Sequence, residues 1–390
     1  MNIHQISKPL ALRWVLGVCF VLAAWVPRGG AAVSLEKLPE PGLQPQALTS
    51  PDGTVHLIYL KGDPKAADVV YRRKTAGQTS WGAPLRVNSQ AGSAIAVGTI
   101  RGAQLAVGRQ GAVHVAWNGS SSALPKPVNG GTPMLYARLQ NGGSSFSEQR
   151  NLMTASHELD GGGAVAADSD GRVFVIWHAS PAGISGETNR AVYLALSKDD
   201  GSTFAPERRI SPEGSGACGC CGLTAKASTG GDVFVLFRTA RSPLQRDMSL
   251  LVSSDHGAHF TEALSHPWSI NACPMSSANL SDATPGVWAA WETAGQIHFA
   301  HFSNLERQTP TNSAGPKRAA KHPRIAANSR GETLVVWTEG TGWQRGGDLG
   351  WQVLDSKGQS TAEKGRLPGI PAWHFATVFT KLNGDFVILH

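Results

Sequence analysis

Two stretches, LALSKDDGSTFAPERRIS (194–211) and LLVSSDHGAHFTEAL (250–264), follow one pattern: an apolar run, then Ser-x-Asp-x-Gly-x-x-Phe, then a second short run. The motif residues are Ser197, Asp199, Gly201 and Phe204 in the first stretch and Ser253, Asp255, Gly257 and Phe260 in the second. The Asp carboxylate can bond backbone amides of its own turn, Gly takes a positive φ, and Phe plugs the turn into a sheet. The pattern predicts a tight hairpin whose turn Asp199 and Asp255 can hold. ARLQNGGSSFSEQ (137–149) is a decayed copy with Asn141 in place of the Asp, and RRKTAGQTSWGAP (72–84) is a weaker one.

Working outward, a second phrase recurs: a turn with Gly or Asp, then an apolar strand often ending in Trp. It reads DGTVHLIYL at 52, QGAVHVAWN at 110, DGRVFVIWH at 170, GDVFVLFRT at 231, PGVWAAWET at 285, RGETLVVWT at 330 and GDFVILH at 384. A unit of this length repeated along the chain signals an array of one supersecondary motif. The copies are rich in β-branched and aromatic residues between turn formers, which predicts strands, and no segment keeps a helical period.

Asp boxes in phase with a strand repeat make the chain resemble the sialidase-like, or BNR-repeat, β-propellers over nearly all of residues 33–390. The resemblance implies an all-β propeller of four-stranded blades, strands A to D running outward from the axis. The Trp-rich phrase is then B, and the Asp box joins C to D. Seven A–B pairs favour seven blades, with six, familiar in sialidases, as the alternative. The last blade lacks outer strands after GDFVILH, and VSLEKLPEP (33–41) is expected to complete it and close the ring.

The N-terminus carries Lys8 and Arg13, the apolar run WVLGVCFVLAAWV, then Pro27, Arg28 and GGAA. This is the pattern of a secretory signal, with cleavage expected near Ala31 or Ala32 and residues 1–32 removed. The run is short against the roughly 20 residues of a membrane span. The chain is therefore expected to be exported, periplasmic or secreted, without a membrane span once cleaved. Loss of Lys8, Arg13 and Arg28 lowers the net charge from +7 to 32 − 28 = +4. Basic residues are dispersed apart from KRAAKHPR (317–324), which argues against nucleic-acid binding. A monomer is the simplest expectation.

Cys19 would leave with the signal, so Cys218, Cys220, Cys221 and Cys273 remain. In such a propeller the segments before each strand A surround one mouth of the channel: SHELD (156–160), ACGCCG (217–222), NACPMS (271–276), AKHPRI (320–325) and AWHF (373–376). The four cysteines fall at matching positions of successive blades and should meet. The chain also resembles secreted propellers that pair a Cys-x-Cys-Cys loop with a later Cys-Pro segment, here WSINACPMS (268–276).

Three chemistries suit four thiols at that place. An exported chain can oxidise them to a structural staple between blades. Thiolates can instead hold a soft ion, Cu(I) or Zn, with Met275 as an additional donor and His157, His322 and His374 as weaker ones. A disulfide beside a spare thiol can also exchange partners. Arg238, Arg246 and Asp247 flank the same face, and with Glu158, Asp160 and Arg324 they are candidates for holding a ligand. That ligand could be a small molecule, a metal ion or a protein partner.

The resemblance also raises glycan hydrolysis. A sialidase-type site implies three arginines on the substrate carboxylate, a late tyrosine activated by a glutamate, and an aspartate. Here Tyr59, Tyr71, Tyr136 and Tyr193 are all early, and LQPQALTSP (43–51) stands where Arg-Ile-Pro is expected. Arg101, Arg238, Arg246 and Arg324 could still converge on an anion, and Glu158, Asp160, Glu292 and Glu339 could serve another two-carboxylate hydrolase. A binding module is favoured over an exo-sialidase or other glycoside hydrolase, with a protein-interaction scaffold as a further alternative.

Overall fold

A computed structural model describes Met1 and residues 30–140 and 143–390. The signal reading and Asn141 lie outside the described residues. Each Trp-rich phrase is a strand: Val55–Asp63, Val113–Asn118, Val173–Ala179, Val233–Arg238, Val287–Thr293, Thr333–Glu339 and Phe386–Leu389. Each is strand B of a separate sheet, so seven blades form. Within blade 3, for example, strand B pairs antiparallel with strand A (Ala164 opposite Ile176) and strand C (Val175 opposite Ala195).

The B strands are mostly apolar and buried because both faces of a blade are covered. Seven hydrophobic clusters lie between neighbouring blades, one for each junction around the ring. Trp117, Trp177 and Trp291 are fully buried in them. The outer D strands vary in length, from two residues, Arg150–Asn151 and Arg208–Arg209, in blades 2 and 3 to Ser360–Ile370 in blade 6.

Both complete Asp boxes join strands C and D as expected. Asp199 Oδ1 accepts from Ser197 Oγ (2.8 Å) and the Thr203 N–H (2.8 Å), while Ser197 Oγ accepts from the Gly201 N–H (2.9 Å). The second box repeats this with Asp255, Ser253, His259 and Gly257. Phe204 packs edge-on against Tyr136 of the preceding blade at 4.9 Å. Phe146 of the decayed copy meets Tyr71 in the same way at 5.4 Å, so the aromatic plug persists where the Asp is gone.

The termini close the ring. Val33–Glu36 lies parallel to Phe386–Leu389, from Val33 opposite Phe386 to Glu36 opposite Leu389. Blade 7 has three strands, not four, the N-terminal strand taking the place of C. Just beyond it Glu40 is held by Lys61, the Tyr59 hydroxyl and Arg72 (3.0 Å). Those three partners, named in order of influence as Lys61, Tyr59 and Arg72, lower its pKa to about 2.

Candidate functional site: a cysteine loop at the channel mouth

Strand A of blade 4 begins at Thr224, and the crossing loop before it carries the three clustered cysteines. A turn closed by the Cys221 N–H on the Cys218 carbonyl (3.2 Å) folds the loop so that its thiols converge. Cys218 Sγ stands 3.0 Å from Cys221 Sγ and 3.4 Å from Cys220 Sγ. All three sulfurs lie within 4.8 Å of one another. Cys218 and Cys221 are buried, Cys220 is half-buried and Cys273 is exposed at the rim.

The segment with Cys273 meets this loop, as the blade geometry requires. Gly222 N–H donates to the Ser276 carbonyl at 2.9 Å. Residual burial and the neighbouring Cys220 sulfur push the Cys273 thiol up to about 11. The next crossing loop follows on, with Ser277 Oγ 3.1 Å from His322 Nδ1 and Lys321 bonded to the Pro274 carbonyl.

The surrounding glycines permit close backbone stacking. A Cβ on Gly219 would lie 1.8 Å from an Arg190 guanidinium nitrogen. One on Gly161, in the crossing loop of blade 3, would lie 2.5 Å from the Gly219 carbonyl oxygen. Only residues without side chains let these loops reach contact.

Charges bracket the thiols. Glu187 accepts from the Gly219 N–H (2.7 Å) and pairs with Arg246 (2.8 Å). Arg238 is fully buried behind the loop, donating to the Arg246 carbonyl (2.7 Å) and lying 4.7 Å over the Trp268 ring. Burial alone would raise the Cys221 pKa. Hydrogen bonds from Cys218 and Cys220, with the Arg238 charge, outweigh it and hold this thiol well below its ordinary value. Cys218 is pushed up by its bonds to Cys220 and Cys221 and by burial. The cluster therefore ionises first at Cys221, and that negative charge opposes further ionisation until a cation offsets it.

The other candidates have separate places. Glu158 is bonded by Ser180 (2.8 Å) and Ser185 (2.7 Å), and Asp160 is paired with Arg101 and Arg190. Asp247 accepts from the Trp268 N–H at 3.0 Å. Met275 reaches Cys220 through its backbone and lines a cavity with Lys321, His322 and Trp343. His322 and His374 are buried, with His374 lowered by burial to about 4. Among the described residues, the three cysteines are the one group of three or more potential ligands this close together, so the histidines do not join them.

Sequence reasoning passed over His178, Glu187 and Arg190. His178, buried and lowered by desolvation to about 4, sits 3.2 Å from the Cys221 carbonyl through Nε2. Its place at the end of a Trp-His phrase was the available signal. Glu187 and Arg190 belong to a loop between strands B and C whose path no local pattern specifies.

No protein-family model and no curated protein matches the chain. Solved structures do match. One is a protein of unknown function from Dyadobacter fermentans, with TM-score 0.52, 16% identity, and 88% of this chain and 100% of that one covered. Another is the Trypanosoma rangeli sialidase in complex with the inhibitor DANA, with TM-score 0.50, 12% identity, and 78% and 54% of the two chains covered. The fold is sialidase-like. This chain spans about half the length of that sialidase, and at such identity the likeness concerns architecture alone.

The sialidase-like fold does not gather the four arginines on one anion. Arg101 is bound to Asp160, Arg238 to main-chain carbonyls beside Glu292, and Arg246 to Glu187. All four tyrosines are buried in B or C strands, and burial raises Tyr71 to about 12.

Proposed function

We propose that this chain is an exported, monomeric propeller acting as a binding module, with a thiol site on its channel face for a soft cation, Cu(I) or Zn. The observation that carries the reading is the convergence of Cys218, Cys220 and Cys221 within 4.8 Å, with Cys273 brought beside Cys220 from the next blade. Thiolate donors select such ions, and the Arg238 charge favours the first thiolate. Cys218, Cys220 and Cys221 would hold the metal, Cys273 would supply a fourth sulfur, and Met275 is the remaining donor candidate.

A structural staple is the second reading, favoured by the 3.0 Å approach of Cys218 and Cys221. Oxidation would pair these two and leave Cys220 with Cys273, accounting for all four. Glycan hydrolysis ranks lower, since Glu158, Asp160 and Glu339 are each engaged by hydroxyl, guanidinium or indole groups. A partner-binding scaffold would use the same face.

Thiol counting and metal analysis on one preparation from the exported compartment decide between the readings. Stoichiometric metal, with four thiols recovered only after denaturation and chelation, supports the cation site. No thiols and no metal establishes the staple. Two thiols without metal indicate exchange chemistry.

A further inference from the structure

Gln44, Gln46, Gln104, Asn279, Arg324 and Phe375, among others, line a small cavity with room for about one water-sized group. Most of these come from strand A, from several blades. Arg324 differs from every other arginine on this side of the ring. Its residue is 7% exposed, its guanidinium lies 4.1 Å over the Phe375 ring, and Nη1 donates to the Pro323 carbonyl at 2.8 Å. Among the described residues, no carboxylate stands within ion-pair distance of it.

A buried cation without an acid is costly, and in folded proteins such charges are ordinarily paired. The neighbouring amides add direction. Gln46 Oε1 accepts the Leu105 N–H at 2.5 Å, and Asn279 Oδ1 accepts the Ile325 N–H at 2.9 Å. Each bond bridges strand A of one blade to strand A of the next and commits the amide oxygen. The NH2 groups are left as donors. Gln44 is turned the other way, its NH2 spent on the Ala96 and Gly98 carbonyls at 2.6 Å each.

We propose that Arg324 is the cationic anchor of a site inside the channel for a small monoanion, a halide or the leading oxygen of a carboxylate, with the NH2 groups of Gln46 and Asn279 as further donors. One guanidinium balances one negative charge, and its planar fork suits a carboxylate or a single spherical ion. The site uses none of the cysteines, so it stands or falls apart from the metal reading.

The test melts the purified protein across sodium bromide and sodium acetate series alongside Arg324→Met, so that salt effects common to both proteins cancel. Crystals of the parent grown in bromide give the position by anomalous scattering. The expected result is a saturating rise in the parent's Tm over the variant's of about 2 °C, with bromide at the guanidinium. A rise with bromide alone assigns a halide site and with acetate alone a carboxylate site. Parallel melting of parent and variant with no bromide at Arg324 overturns the proposal. If Arg324→Met does not fold, Arg324→Lys replaces it, with a weakened shift expected. If neither folds, bromide in the parent crystals decides alone.

Discussion

The sulfurs of Cys218 and Cys221 face each other at 3.0 Å across a single turn, closed by the N–H of one on the carbonyl of the other. The same geometry serves two thiolates on one ion or, after loss of two electrons and two protons, a disulfide. The protein reduced with a thiol is therefore expected to bind Cu(I) or Zn, and the protein oxidised with a small-molecule disulfide is not. Peptide mapping of the oxidised form should find Cys218 joined to Cys221 and Cys220 to Cys273. A bridge from Cys218 to Cys273 would contradict the arrangement.

Metal affinity should fall as pH falls. Protons compete for the sulfurs, and Cys218, Cys220 and Cys273 all sit above the ordinary thiol value. Binding should release protons, measurable by calorimetry in buffers of different ionisation enthalpy. Affinity unchanged between pH 6 and 8 would rule out binding through these thiols.

Deleting residues 33–41 from the chain lacking its signal should lower Tm by roughly 5 °C or more. The deletion removes the parallel partner of Phe386–Leu389 and exposes that strand's edge. Equal melting of parent and deletion would mean that the termini do not close the ring.

Glu40 makes closure sensitive to acid. Its folded pKa is lowered from 4.5 to about 2, so its contribution is fully present above 4.5 and is lost as pH falls toward 2. The side chain is largely shielded, and screening leaves about 1–2 kcal/mol. Glu40→Gln should reduce stability at pH 7 and flatten the decline between pH 4.5 and 2, both measured by urea unfolding.

In the first Asp box, Gly201→Ala should be the more damaging of two substitutions. A Cβ there would lie 1.9 Å from the Tyr136 hydroxyl on a backbone with φ near +74°, at an expected cost of roughly 3 kcal/mol. Asp199→Ala loses turn hydrogen bonds at the surface and should cost about 1–2 kcal/mol. The opposite order in denaturant midpoints would show that the turn relaxes around the added methyl.

No hydrolysis of a fluorogenic sialoside is expected, because Tyr59, Tyr71, Tyr136 and Tyr193 are all buried within blades. Turnover that disappears when Asp160 or Glu158 is substituted would reverse this expectation and point to a two-carboxylate hydrolase on the channel face.

The strands, their number and the hairpin turns were legible in the sequence because they rest on local rules. β-branched runs of the DGRVFVIWH kind make strands, and Ser-x-Asp-x-Gly-x-x-Phe makes a turn, wherever in a chain they stand. The resemblance to sialidase-like propellers that the two repeats carry then implied the ring, and the ring implied that the loop before Thr224 would meet the segment before Asn279. Which groups finally touch depended on tertiary structure. The pairing of Glu187 with Arg246, the absence of the histidines from the cysteine cluster, and the engagement of Arg101, Arg238 and Arg246 while Arg324 stays without an acid all join residues from different blades. Such contacts follow from side-chain direction and loop path to within an ångström or two, and a one-dimensional pattern that places a residue at the mouth of a channel does not say which neighbour its charge will find.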